Sequence, residues 1–107
     1  MPKYLFQASY TPAGMQGVMK DKGSGRKAAV QSAIKSIGGK LESFYFAFGD
    51  DDVVLIADLP DNASAAAITI TTGSTGLVNI RTTPLLTVDE VDKALEITAK
   101  YRPPGGK

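Results

Sequence analysis

The stretch Leu41-Glu42-Ser43-Phe44-Tyr45-Phe46-Ala47-Phe48, followed after Gly49-Asp50-Asp51-Asp52 by Val53-Val54-Leu55-Ile56-Ala57, decides the fold. Successive side chains of a strand leave on opposite sides of its sheet. In the first segment Phe44, Phe46 and Phe48 fall on one side and Leu41, Tyr45 and Ala47 on the other. In the second, neither side is polar. A single layer of helices covers one side of such a sheet, so the other side needs its own cover, most simply a second copy of the chain.

Working outward, Gly49–Asp52 reads as a tight hairpin turn between the two strands. Upstream, Lys3–Ser9 is a strand with Tyr4, Phe6 and Ala8 on one side and Leu5 on the other. Thr11-Pro12 starts a helix, the hydroxyl capping and the proline taking the first turn. Met15, Val18 and Met19 are its apolar positions, and it breaks at Gly23-Ser24-Gly25. Ser24 then caps a longer helix whose Val30, Ala33, Ile34 and Ile37 form one stripe, ended by Gly38-Gly39.

Downstream, Pro60 closes the strand and Asp61 or Asn62 caps a helix with Ala63, Ala66, Ala67 and Ile70 on its core face. The alternation in Ile68-Thr69-Ile70-Thr71-Thr72 also suits a strand. Gly73–Gly76 is a loop, and Leu77–Thr83 a strand that sets Val78 and Ile80 against Asn79 and Arg81. Thr87-Val88-Asp89-Glu90 is a capping box opening a last helix striped by Val91, Ala94, Leu95 and Thr98. Strand, helix, strand, strand, helix, strand, helix with right-handed crossovers gives a four-stranded antiparallel sheet ordered 4-1-3-2. That is an α+β, ferredoxin-like βαββαβ sandwich with an additional C-terminal helix. Residues 1–100 form the domain, and 101–107, rich in Pro and Gly, a tail.

Composition narrows the chemistry. In 107 residues with a net charge of +1 there is no Cys and no His. Disulfides, thiolate chemistry and zinc–thiolate sites are excluded, as are the commonest general base and metal ligand. No charge field points to nucleic acid or an anionic membrane. The N-terminus lacks a signal-peptide pattern and no apolar run reaches membrane-spanning length, so a cytoplasmic setting is expected. No cofactor and no bound metal are expected.

Four groups of residues merit attention as sites. Asp50, Asp51 and Asp52 put three carboxylates on one turn, which suits a divalent cation or a proton-transfer carboxyl. Aspartate is also simply a turn residue, and that reading is favoured. Gly23-Ser24-Gly25-Arg26-Lys27 offers backbone amides and two cations for an anion, against the plainer reading of a helix break with solvated charges. It lacks the spacing and ending of a P-loop. Arg26 and Arg81 are the best anion-binding residues, because a guanidinium fork matches a carboxylate. Arg81, Asn79 and Tyr45 are polar members of otherwise apolar strands, so on one side of the sheet they fix a small ligand, or else Arg81 pairs with an acid and Tyr45 is a rim aromatic. An RNA-binding sheet needs basic and aromatic residues on the third strand, where this chain has Asp52-Val53-Val54-Leu55-Ile56-Ala57.

From Gly38-Gly39-Lys40-Leu41-Glu42-Ser43-Phe44-Tyr45, through Gly49-Asp50-Asp51-Asp52-Val53-Val54, to Pro60-Asp61-Asn62, with Gly76 ahead of Arg81-Thr82-Thr83, the chain resembles the GYD-domain family. The resemblance runs from about Lys3 to the last helix. Asp51 stands where the family's turn carries Tyr. The resemblance implies a small bacterial or archaeal protein, related in fold to the dimeric α/β-barrel proteins, that assembles as a homodimer or higher oligomer through its sheet face. It supplies no established reaction. Two functional classes follow: a homo-oligomeric small-molecule-binding or regulatory module, and a cofactor-free monooxygenase- or isomerase-like enzyme acting on a small aromatic or acidic metabolite.

Overall fold

Tyr4, Phe6 and Ala8 are buried while Leu5, Gln7 and Ser9 are half-buried, so strand β1 (Lys3–Tyr10) is the two-faced centre of the sheet. The computed structural model describes residues 1–106; Lys107, the end of the expected tail, lies outside the described residues. After β1 come α1 (Pro12–Ser36), β2 (Lys40–Phe46), β3 (Val53–Asp58), α2 (Asn62–Gly73), β4 (Val78–Pro84) and α3 (Val88–Glu96). The sheet runs β2-β3-β1-β4 with every neighbouring pair antiparallel. This is the expected ferredoxin-like order. No described helix is long and apolar enough to cross a membrane.

The core lies between the sheet and the α1/α2 layer. Tyr4 and Phe6 of β1, Val53, Leu55 and Ala57 of β3, and Leu59 meet Ile34 of α1 and Ala65 of α2. Each large side chain among them contributes about 1.5–3 kcal/mol through its removal from water. The Tyr4 hydroxyl donates to Asn62 Oδ1 at 2.6 Å, so its polar end is satisfied. Three expected caps form: Thr11 Oγ1 accepts from Gly14 N, Asp61 Oδ1 from Ser64 N, and Thr87 and Glu90 close a reciprocal box. Gly38, at φ +83°, supplies the left-handed residue after α1.

Several details differ from the sequence reading. Leu41 pairs with Ala57 and Ser43 with Ile56, so a β-bulge around Glu42 shifts the alternation by one residue. Leu41 therefore joins Phe44 and Phe46 on the helix side instead of sharing the open side with Tyr45. The connection from β2 to β3 is a six-residue loop, closed by Ala47 N on Asp52 O at 2.8 Å, wider than a tight turn. The break in α1 falls at Lys22 (φ 63°, ψ 174°), one residue before the glycines, and Ser24 lies inside the second helical segment.

The apolar positions ahead of that break do not enter the core: Met15 and Met19 are exposed. On α2 the buried side is Ala65 with Ile68, Thr69 and Thr72, while Ala63, Ala66, Ala67 and Ile70 are exposed. Threonine hydroxyls supply the reason: Thr69 Oγ1 bonds both the Ala65 carbonyl and Thr82 Oγ1, which ties that face to β4. Helix α3 ends at Glu96, before Thr98, and none of it is buried.

Candidate functional site

Two regions gather the polar side chains singled out from the sequence, on opposite faces of the sheet. On the open face, register aligns Tyr45, Val54, Gln7 and Arg81 in one row across the four strands. Arg81 Nη2 donates to Asp51 Oδ2 at 2.7 Å, and Gln7 Nε2 reaches the same oxygen at 3.4 Å. Asn79 sits two residues from Arg81 on β4, beside the same shallow depression of about 340 Å³. Tyr45 stands three strand spacings away, about 14 Å, so the structure brings together Arg81 and Asn79 but leaves Tyr45 apart. Arg81 is already neutralised by Asp51, which lowers its value as an anion receptor.

The acidic turn disperses. Asp51 goes to Arg81, Asp52 Oδ2 accepts from Tyr10 N at 2.8 Å, and Asp50 is exposed. Among the described residues no three acids converge as a metal cage. Gly49 lies in open space on the same loop. Asp51 thus serves as a counter-ion to Arg81 of β4.

On the helix face the arrangement is different. A cleft of about 330 Å³ opens between α1 and α2 at the Tyr10 end of the sheet. Tyr10, Arg26, Thr72 and Val78 also line a narrower apolar chamber of about 60 Å³ beneath it, walled by Val30, Ile34, Ile68 and Ile80. Polar groups thus gather at the mouth and apolar ones at the floor, which is the usual make-up of a small-molecule site. Asp21, Thr71 and Thr75 complete the mouth.

Arg26 is the charged centre of this cleft. It stands in the second segment of α1, so the Lys22 break sets the direction from which its side chain enters. Its Nη1 lies 3.5 Å from Asp21 Oδ2, a loose pair, and its buried Nε–H has no hydrogen-bond partner. A buried donor without an acceptor is unfavourable by about 1–3 kcal/mol. A guanidinium is the side chain whose fork geometry matches a carboxylate or similar oxyanion.

Glycine shapes the rim. Gly14 packs so closely on the Leu77 carbonyl that no Cβ fits there, and Thr11 N donates to that carbonyl at 3.0 Å. Of the cleft residues the sequence singled out Arg26 alone for binding. Tyr10 was legible as the next helix-facing member of the Tyr4, Phe6, Ala8 alternation, and Thr72 as i+7 from Ala65. Gly14 had no signal beyond being a glycine inside a helix.

Elsewhere, the Lys3 ammonium bridges Glu42 Oε1 at 2.6 Å and Asp58 Oδ1 at 2.8 Å, tying the bulge of β2 to β1. Hydrogen bonds to Asp58 and then Glu42 raise its pKa above the usual lysine value. No curated protein matches the chain. The family model described as the GYD domain matches residues 4–95, nearly the whole ordered fold. The chain belongs to the GYD domain family.

Proposed function

We propose that this protein is a homo-oligomeric module that binds a small acidic metabolite in the cleft between α1 and α2. The observation that carries the reading is the unpartnered, buried Nε–H of Arg26, a side chain that lines both the wider mouth and the apolar chamber beneath it. A ligand with a carboxylate at one end and a compact apolar or aromatic body at the other matches that order of surfaces. The open-face group of Arg81, Asn79 and Tyr45 is the weaker candidate, since Asp51 already holds Arg81.

The oligomeric part of the reading rests on the uncovered side of the sheet. Leu5, Val54 and Ile56 form its apolar centre and Tyr45, 71% exposed, stands at its edge. Twofold pairing of such faces is the commonest arrangement for a self-complementary patch. Arg81 and Asp51, paired within the chain, sit beside that centre with no charge left to be neutralised by a partner. A cytoplasmic setting goes with this proposal and is tested by fractionating cells.

The test is a thermal-shift screen against benzoate, salicylate, phenol and divalent metal salts, using the native chain and Arg26→Met. A carboxylate that raises the native Tm and leaves Arg26→Met unmoved supports the site. A carboxylate response that survives in Arg26→Met but disappears in Arg81→Ala contradicts it and moves the site to the open face. Sedimentation of Ile56→Glu tests the pairing separately: dissociation of a native oligomer supports it, and a native monomer at micromolar concentration removes it.

A further inference from the structure

Helix α3 (Val88–Glu96) carries an apolar stripe that its own chain does not cover. Val88, Val91 and Leu95 are 78, 42 and 78% exposed, and Leu86 and Ile97 extend the stripe at either end. The molecule is long, 58 × 32 × 23 Å, with a radius of gyration of 17.2 Å, where a compact chain of this length has about 13 Å. A nine-residue helix is marginal by itself in water. A capping box and a clean apolar stripe point to a helix that docks on a surface.

A matching surface lies on the same chain. Met15, Val18, Phe46 and Phe48 line a groove of about 340 Å³ at the start of α1, and Met19 beside them is 71% exposed. Charge fits as well. The helix bears Asp89, Glu90, Asp92 and Glu96 against Lys93, whereas residues 12–27 of α1 bear exposed Lys20, Lys22 and Lys27 against Asp21, Arg26 being turned into the other cleft. Of the acids on the adjoining turn, Asp51 and Asp52 are engaged by Arg81 and Tyr10 N, and Asp50 is exposed.

In the structure α3 of the same chain stays out of this groove, and its reach across the sheet is short. Pro84 lies in register with Tyr4 and Ala57, whereas Phe46 lies in register with Val53 and Ala8, on the opposite edge and toward the other end of the sheet. That diagonal is about 20 Å, and it crosses the face that α1 and α2 occupy. Four extended residues and one helical turn carry Val91 at most about 18 Å from Pro84. We infer that α3 of one copy lies in the Met15–Phe48 groove of a second copy, acidic flank against basic helix. This rests on the self-association in the proposed function, and names a contact that sheet pairing does not require.

The absence of cysteine makes the test direct, because engineered thiols are then the only ones. Differently tagged Val91→Cys and Met19→Cys chains are co-expressed and mildly oxidised, with Gln31→Cys in place of Met19→Cys as the control. At least a tenfold excess of covalent hetero-pairs over the control is expected, falling when co-expressed cells are lysed and oxidised in high salt. Pair formation no greater than the control overturns the inference, and so does a cross-link inside a monomer in the Val91→Cys/Met19→Cys double variant. If sedimentation shows an oligomer while the thiols fail to couple, the arm contact is refuted and the sheet pairing stands; a monomer refutes both.

Discussion

Replacing Arg26 by Met should make the empty protein no less stable, and slightly more so, while abolishing its response to ligand. Methionine keeps the apolar stem beside Val30 and Ile34 and removes a buried donor that has no acceptor. That donor is unfavourable by about 1–3 kcal/mol; with 27% of the side chain still exposed, the low end applies, about 1 kcal/mol. Against it stands the loss of the 3.5 Å pair with half-exposed Asp21, worth about 0–1 kcal/mol. The balance lies between zero and about 1 kcal/mol in favour of the variant, a Tm rise of up to about 5 °C. Ligand at a hundred times its Kd stabilises the native chain by about 2.7 kcal/mol, so the order of stability reverses when ligand is added. Urea denaturation with and without ligand measures both quantities. A variant less stable than the native chain by more than about 1 kcal/mol without ligand would mean that Arg26 is a structural residue whose bonds are satisfied.

Lys22→Gly should stabilise the fold by about 1 kcal/mol, since φ 63° with ψ 174° is a glycine conformation whose strain of about 1–3 kcal/mol outweighs the added chain entropy; a lower Tm contradicts this. Gly14→Ala should lose about 1–3 kcal/mol by overpacking against the Leu77 carbonyl and weaken carboxylate binding, both read in one ligand-dependent melting series. Asp61→Ala should lower Tm at neutral pH, with the gap closing on acidification. The Ser64 backbone N–H and then its hydroxyl hold the Asp61 carboxyl below the usual carboxylate value, so its contribution is complete above about pH 4 and fades as pH falls through the lowered value. A gap as wide below that value as at neutral pH contradicts the carboxylate's role in the cap.

How much of this was legible in the sequence follows from which interactions are local. The caps at Thr11, Asp61 and Thr87 and the two-sided apolar character of β3 rest on spacing within a few residues, the sheet order on the element order with right-handed crossovers, and all are present. The bulge at Glu42 depends on how β2 meets β3 and on the Lys3 bridge to Glu42 and Asp58, so it left no trace in the alternation. The core face of α2 is rotated from the Ala63, Ala66, Ala67 and Ile70 stripe, because alanines on every side leave its phase open and Thr69 turns inward to bond Ala65 and Thr82. Lys22 takes the break that Gly23 and Gly25 signalled, one residue early. The cleft assembles Tyr10, Arg26 and Thr72 from three elements, and only Arg26 carried chemistry enough to be noticed alone.

The most direct measurement of the central claim is an NMR titration of the arginine side-chain Nε–H resonances in 15N-labelled protein, with Arg26→Met identifying the Arg26 signal among those of Arg81 and Arg102. With benzoate or salicylate, the Arg26 signal should move downfield and saturate while Arg81, held by Asp51, stays near its starting position. A saturating shift at Arg81 with Arg26 unmoved, or no shift at any arginine across the carboxylates, would contradict the account.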